Sequence, residues 1–373
     1  MSPLLSTARS SALARLSLLA TLGLAACNFE VPSSSYLVET RLLGVLVEVV
    51  ELGPLHPGRV AVPIDAPIAE ALPHDRLAFD AVVVDREGRR LPDAELDSLW
   101  FQCGAFDCGE GTIDASSELF DRDCDALEDT GLPWNTDSVC RLGQGDGHFD
   151  FVVPDLGQLM TEQRIAHYYG VIGWEGRSAS SCWSARRSKR ESLDGCGFIR
   201  RSLRIGPSWW MLTYAESLGL QSPVPLHQLP AGVFIQLANR VPIVSLPVVI
   251  DGQLRGTWPE QTQFEVEPGA RISIDPEYDE VSQFLQTYFR FLLPSSDSFV
   301  FVATTEILRE IPYSSNAIVW LGFDPDAPDL PIPPKWEFVV DEYAEAGTSR
   351  IILWYYDDRF AEGVATLEFE VKP

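Results

Sequence analysis

Arg350-Ile351-Ile352-Leu353-Trp354-Tyr355-Tyr356 and Val364-Ala365-Thr366-Leu367-Glu368-Phe369-Glu370-Val371, joined by Asp357-Asp358-Arg359-Phe360-Ala361-Glu362-Gly363, form the stretch from which the fold is read. The first segment is rich in β-branched and aromatic side chains, the link is charged and ends in glycine, and the last segment alternates. Strand side chains point to opposite faces with a period of two, so the pattern predicts a β-hairpin closing the chain.

Working back from this hairpin, the same texture recurs in short pieces. Val244 to Ile250, Phe264 to Val266, Ala270 to Asp275, Thr287 to Leu293 and Phe299 to Ala303 are strand candidates. Asp324 to Pro334, with five prolines and three aspartates, reads as a stiff loop. Further towards the N-terminus, Arg41 to Val50, Arg76 to Val84, Ser98 to Cys103, Gly147 to Val153, Ile165 to Glu175 and Phe198 to Ile205 have strand character, and Arg86-Glu87-Gly88-Arg89 closes one of them as a turn. Many short strands without alternating helices predict an all-β protein of two antiparallel immunoglobulin-like sandwiches, at 36–205 and 241–373. Between them lies a connector, 206–240, whose Pro223, Pro225 and Pro230 forbid a long helix. Its Trp209 and Trp210 are expected to pack between the domains.

The first sandwich carries a cysteine-rich insertion at 104–147. From Asp107 to Asp155 there are thirteen acids against Arg122 and Arg141, with too few aliphatic residues for a core of its own. Disulfides are expected to fix its shape. A second decoration is basic: Arg186-Arg187-Ser188-Lys189-Arg190 lies between Cys182 and Cys196, as a hairpin tip clamped at its neck would. Arg186, Arg187, Lys189 and Arg190 are therefore candidates for an anionic partner. The other expectation, which we favour, is that they pair with the acids of the insertion or are merely solvated.

Residues 1–26 have a cationic start with Arg9 and Arg15, an apolar core from Leu16 to Leu24, and small residues before Cys27. Roughly nine apolar residues cannot cross about 30 Å of hydrocarbon, so this is a secretory signal and not a spanning helix. Leu24-Ala25-Ala26-Cys27 resembles the lipobox of bacterial lipoproteins. That resemblance implies diacylation of the Cys27 thiol, cleavage just before it, and a lipidated tether at 27–35. Asn28 stands where some such proteins carry an inner-membrane Asp, which points to the outer membrane or cell surface. With Cys27 assigned to lipid, Cys103, Cys108, Cys124, Cys140, Cys182 and Cys196 remain, an even number in an oxidising compartment. Cys182 with Cys196 is the pairing expected first, and the other four are expected to pair among themselves.

More broadly, the lipobox, the strand after the tether, Leu99-Trp100-Phe101-Gln102-Cys103 and the closing Trp354-Tyr355-Tyr356-Asp357-Asp358 hairpin resemble bacterial lipoproteins with tandem immunoglobulin-like or PKD-like sandwiches. The resemblance implies a fold and an address and supplies no catalytic residue.

Charge and motifs narrow the function. The formal net charge is −26, and loss of Arg9 and Arg15 with the signal takes it to −28. Such a surface excludes general nucleic-acid binding. Asp121, Asp123 and Asp125 with Glu128 and Asp129 suggest calcium, yet Ala126 and Leu132 stand where an EF-hand loop needs glycine and glutamate. Neither HExxH nor GxSxG occurs, and His56, His74, His148, His167 and His227 are scattered. Trp209, Trp210, Trp354, Tyr355 and Tyr356 would make a sugar platform if exposed, and core or interdomain packing otherwise. The expectation is a non-enzymatic envelope module without cofactor or metal, anchored to the membrane by lipid, with an envelope protein or polysaccharide as partner. The alternatives are a carbohydrate- or polymer-binding accessory protein, or a hydrolase whose site the sequence conceals.

Overall fold

A computed structural model describes residues 36–54, 71–104, 118–129, 134–135, 138–154, 164–188, 191–205, 241–278, 288–295, 298–304, 308–321, 335–357 and 361–372. The signal and tether, the connector at 206–240 and the Asp324 to Pro334 loop lie outside the described residues.

The chain enters through a two-residue strand, β1 (Tyr36–Leu37), and then builds the first sandwich from β2 (Arg41–Glu51), β3 (Arg76–Val84), β4 (Asp97–Gly104), β5 (Val139–Gly145), β6 (His148–Val152), β7 (Arg164–Gly173) and β8 (Cys196–Ile205). One sheet has the order β2-β3-β6 and the other β5-β4-β7-β8. This is an immunoglobulin-like arrangement of seven strands in two sheets. Trp100 on β4 is fully buried between the sheets. Where an antibody domain packs its tryptophan on an inter-sheet disulfide, this domain uses rings. Phe79 of β3 lies 4.7 Å from Trp100 and 5.3 Å from Tyr168 of β7, and Phe151 of β6 completes the cluster. Gly170 is required beside it, because a Cβ there would stand 2.6 Å from the Trp100 ring.

The second sandwich comprises β9 (Val244–Ile250), β10 (Gln253–Trp258), β11 (Gln263–Val266), β12 (Arg271–Ile274), β13 (Glu277–Tyr278), β14 (Tyr288–Ser295), β15 (Ser298–Thr304), β16 (Leu308–Ser315), β17 (Ile318–Trp320), β18 (Trp336–Val340), β19 (Gly347–Asp357) and β20 (Glu362–Val371). Its sheets run β1-β16-β19-β20-β11 and β10-β9-β12-β18-β17, with β13 on β9 and β14-β15 as a separate hairpin. The closing hairpin pairs from Gly347 with Val371 to Tyr356 with Glu362. Most pairs are antiparallel, but β11 joins β20 and β1 joins β16 in parallel. Thus the first strand of the chain belongs to the sheet of the last.

Three sequence expectations change. The stretch 104–147 is not wholly an insertion, because β5 within it is an edge strand hydrogen-bonded to β4. Its Val139-Cys140-Arg141-Leu142 alternates weakly, and Gly143 and Gly145 hid the strand. The basic segment is not a hairpin tip. It ends a helix, α2 (Ala179–Ser188), that follows the small α1 (Asp125–Asp129). The Ser181 amide donates to the Ser178 hydroxyl at 3.2 Å, capping α2, and Ala179, Cys182 and Trp183 form its buried face. β1, β10, β13, β16, β17 and β18 were not apparent from the sequence.

The sheets stack as layers. β2-β3 turns Val45, Val47, Phe79 and Val83 inward to the first core. The opposite face presents Leu46, Val82 and Val84, and these meet Leu37, Ile352, Trp354 and Val364 on the outer face of the second sandwich. The sequence placed this contact in the connector's tryptophans; within the described residues it is made face to face by two sheets. Gly44 is its tightest point, since a Cβ there would lie 2.3 Å from Trp354. Around the apolar centre Ser315 Oγ and Arg350 Nη1 both donate to the Glu87 carbonyl, at 3.1 and 3.0 Å. Buried Arg201 of β8 pairs with Glu362 of β20.

Truncation of a buried tryptophan costs about 3–5 kcal/mol. Trp354→Ala should therefore lower the urea midpoint of the whole protein, and Gly44→Val should do the same by overfilling the same spot. Midpoints unchanged in both variants would show that the two sandwiches are not energetically joined here.

Glu310 places a largely buried carboxyl in the second sandwich. Glu310 of β16 sits opposite Tyr355 in the register, accepts a hydrogen bond from the Tyr278 hydroxyl, and keeps its other oxygen buried with no hydrogen-bond partner among the described residues. Burial pushes its pKa from 4.5 up to about 7. Between those values the folded state holds a proton that the unfolded chain has released, so stability falls as pH rises, by about 3 kcal/mol in all. Glu310→Gln should flatten this slope in denaturation measured from pH 5 to pH 8. An identical slope in the variant would assign it to other groups.

Candidate functional site

Where the two sandwiches part, a cleft of about 360 Å³ opens between them. The first sandwich contributes Leu46 and Glu48 from β2 and Asp80 from β3. Leu46 and Asp80 are direct cross-strand neighbours, and His148 of β6 stands on the other side of Asp80 in the same row. The second sandwich contributes Val241 to Val244 leading into β9, Trp258 and Pro259 at the end of β10, Tyr355 of β19, and Glu362 to Val364 of β20. Cleft volumes of this order at domain junctions, apolar with a few polar groups, suit small ligands or single side chains of a partner.

The charged groups of the lining are all acids: Glu48, Asp80 and Glu362, with no lysine or arginine among them. They are in different states. Glu362 is held by Arg201, and burial raises its pKa while the guanidinium pulls the other way. Asp80 Oδ1 lies 2.6 Å from His148 Nδ1, and that hydrogen bond raises the imidazole pKa, helped by the charges of Asp80, Asp150 and Asp146. Glu48 is exposed. A smaller space of about 220 Å³ along the same junction is lined by Arg89, Arg90, Arg350 and Glu368. Its cations are occupied: Arg89 by Asp85 at 2.8 Å, Arg90 by Asp93 at 3.3 Å and Arg350 by Glu368 at 2.7 Å.

The residues singled out in the sequence are placed elsewhere. Arg187 donates to Asp121 at 2.8 Å, and the Arg186 guanidinium lies over the Phe198 ring at 4.6 Å and Tyr169 at 5.8 Å. Lys189 and Arg190 lie outside the described residues. Asp123 pairs with Arg141 at 2.6 Å, a hydrogen bond that holds its carboxyl below the ordinary range. Two of the three aspartates considered for calcium are thus committed to arginines. α2 and the turn at Glu118–Asp121 cover the outer face of β4-β7, with Trp183 and Phe120 packed on Phe101. Two disulfides secure this cover, Cys124–Cys140 and Cys182–Cys196. Cys103 is also disulfide-bonded; Cys108 and Cys27 lie outside the described residues.

Trp354 and Tyr355 are buried and Tyr356 half-buried, so these three pack and do not form an exposed platform. Trp209 and Trp210 lie outside the described residues. His167 shares a hydrogen bond of 2.9 Å with Ser202 across β7-β8. The cleft went unread in the sequence, because its lining comes from segments that only tertiary packing assembles. The signal that was present is a double one: Ala81-Val82-Val83-Val84 and Ile351 to Tyr356 are apolar without alternation, as strands covered on both faces are.

No family model and no curated protein matches the chain. Among solved structures it is similar to the native conformation of Escherichia coli alpha-2-macroglobulin at 10% identity and a TM-score of 0.21, covering 83% of this chain and 17% of that one. Dimeric latent PorU from Porphyromonas gingivalis is aligned at 10% identity and a TM-score of 0.18, over 90% of this chain and 24% of that one. A Corynebacterium diphtheriae protein described as membrane anchored is aligned at 8% identity and a TM-score of 0.16, over 88% and 59%. The chain spans less than a quarter of the first of these and less than two thirds of the last. At such TM-scores none bears on the function.

The His148–Asp80 pair gives the cleft rim a measurable signature. The imidazolium gains a partner on folding, so its stabilisation is present below the unfolded value near 6.5 and is lost as pH rises through the higher folded value. NMR titration of the His148 ring should give a raised pKa that Asp80→Asn brings back towards the ordinary one. A pKa indifferent to Asp80→Asn would place the cause in the other nearby acids.

Proposed function

We propose that this protein is a lipid-anchored envelope module that acts by binding or by spacing, without catalysis, at the outer membrane or cell surface. The observation that supports this reading most directly is the path of the chain just after the Cys27 tether. β1 is hydrogen-bonded into the second sandwich, Tyr36 Oη donates to the Asn316 carbonyl, and β2 continues at once into the first sandwich. A pull on the tether is therefore resisted by both domains together, which suits a rigid body held at a fixed place on a membrane. Attachment is assigned to a lipid on Cys27 because Leu24-Ala25-Ala26-Cys27 resembles a lipobox; among the described residues no helix is long and apolar enough to cross a membrane. Two or three acyl chains make such attachment effectively stable. The interdomain cleft of about 360 Å³ is taken as the binding face of the module.

Labelling of cells with a palmitate analogue should mark the protein and co-fractionate it with membranes. Cys27→Ser should leave an unlabelled precursor that keeps its signal. Correct processing and membrane recovery of Cys27→Ser would overturn the anchor.

A further inference from the structure

β14 and β15 form a ribbon that shares its hydrogen bonds with no third strand, and among the described elements its main backbone contacts are within itself. The register sets Phe291 opposite Phe301 and Phe289 opposite Ala303. With a period of two, positions 289, 291, 299 and 301 share one face of the ribbon, and all four are phenylalanine. The other face is mixed, with Tyr288, Arg290 and Thr304 among its positions. A two-stranded hairpin is at best marginally stable in water, and a continuous apolar face of this kind marks a contact with protein or membrane.

We propose that the phenylalanine face of β14-β15 lies in the interface of the bilayer that holds the lipid anchor, as a second attachment beside the acyl chains. The inference rests on the reading of Cys27 as the lipidated residue. The path of the chain selects lipid as the occupant. β1 is parallel to β16, with Tyr36 beside Ser314, so the chain arrives at Tyr36 from the side of Leu308. That is the end of β16 at which the ribbon is rooted, since β15 ends at Thr304 and β16 begins at Leu308. Leu308 lies about 20 Å of strand from Ser314. Cys27 precedes Tyr36 by nine residues, a reach of about 30 Å. A bilayer that holds Cys27 is thus within reach of the ribbon. The chemistry of the face agrees, because phenylalanine and alanine side chains bring no polar group into hydrocarbon, whereas a protein interface surrounds its apolar centre with polar groups. A net charge of −26 gives no long-range attraction to anionic lipids, so contact with such a surface has to be apolar. Asp297 in the link Ser295-Ser296-Asp297-Ser298 keeps that end at headgroup depth, and the ribbon lies along the surface without crossing it.

The test uses the full chain as cells process it, purified in non-ionic detergent and reconstituted into phosphatidylethanolamine–phosphatidylglycerol vesicles that carry a diazirine on the acyl chain. After illumination, peptide mass spectrometry should find lipid adducts within 288–304. The cross-strand double variant Phe291→Ser, Phe301→Ser should lose those adducts at least about ten-fold, which is the scale of one lost apolar contact, and should keep its urea midpoint. Absence of adducts from 288–304 in the unaltered chain, or adducts undiminished in the double variant, would overturn the proposal. So would a lowered urea midpoint in the double variant, which would show that protein covers the face, either this chain's own residues or a second copy. Palmitate labelling of the same preparations reads the anchor separately. Label retained without adducts removes the ribbon's contact and leaves the anchored module standing; label absent removes the anchor, and the proposal with it.

Discussion

The contact between Trp354 and Gly44 sets the arrangement of the whole molecule. A tryptophan ring on the outer face of one sheet lies where the neighbouring sheet has no Cβ, so the two faces can close to packing distance. Everything around it follows from that closeness. Val82 and Val84 come together with Ile352 and Val364 beside the smaller space of about 220 Å³, and the backbone carbonyl of Glu87 becomes reachable for Ser315 and Arg350. Arg201 and Glu362 are then enclosed together. Burying such a pair gains little over apolar residues of the same size, but leaving either partner alone would cost several kcal/mol. The pair therefore fixes which edges of the two sandwiches meet more than how strongly they do. The cleft is the place where the same two faces diverge.

The first sandwich solves a small-domain problem with aromatic rings and places its disulfides elsewhere. Phe79, Trp100, Phe151 and Tyr168 fill the inter-sheet space that an antibody domain crosses with a bond. The disulfides instead hold the outer cover, where apolar content is low. Cys124–Cys140 ties α1 to β5 across a separation of 16 residues, and Cys182–Cys196 ties α2 to β8 across 14. Loops of that size lose about 3 kcal/mol of chain entropy in the unfolded state when crosslinked. Charge has the same local economy: the acids of the loop before β5 meet Arg187 and Arg141 at the surface of their own domain. The basic segment is scaffold for the helix cover, its Arg186 lying on Phe198 and Tyr169.

Periodicity alone determined the all-β class, the closing hairpin and most strands of the first sandwich, because a half-buried strand writes its one-sided environment into alternation. Cysteine count and spacing pointed to disulfides, and the resemblance of the stretch around Cys27 to a lipobox is the ground of the proposed address. What the sequence left open was decided by contacts distant along the chain. β5 was hidden by Gly143 and Gly145, and α2 by its serines and arginines, since their identity depends on the sheet face they serve. β1 is two residues long and exists only because β16 offers an edge 278 residues away. The join between the sandwiches and the cleft beside it required Leu46, Asp80, Trp258, Tyr355 and Glu362 to be brought together from four strands and a strand end. No local pattern encodes such a meeting, because side-chain complementarity between sheet faces is a property of the packed pair and not of either strand.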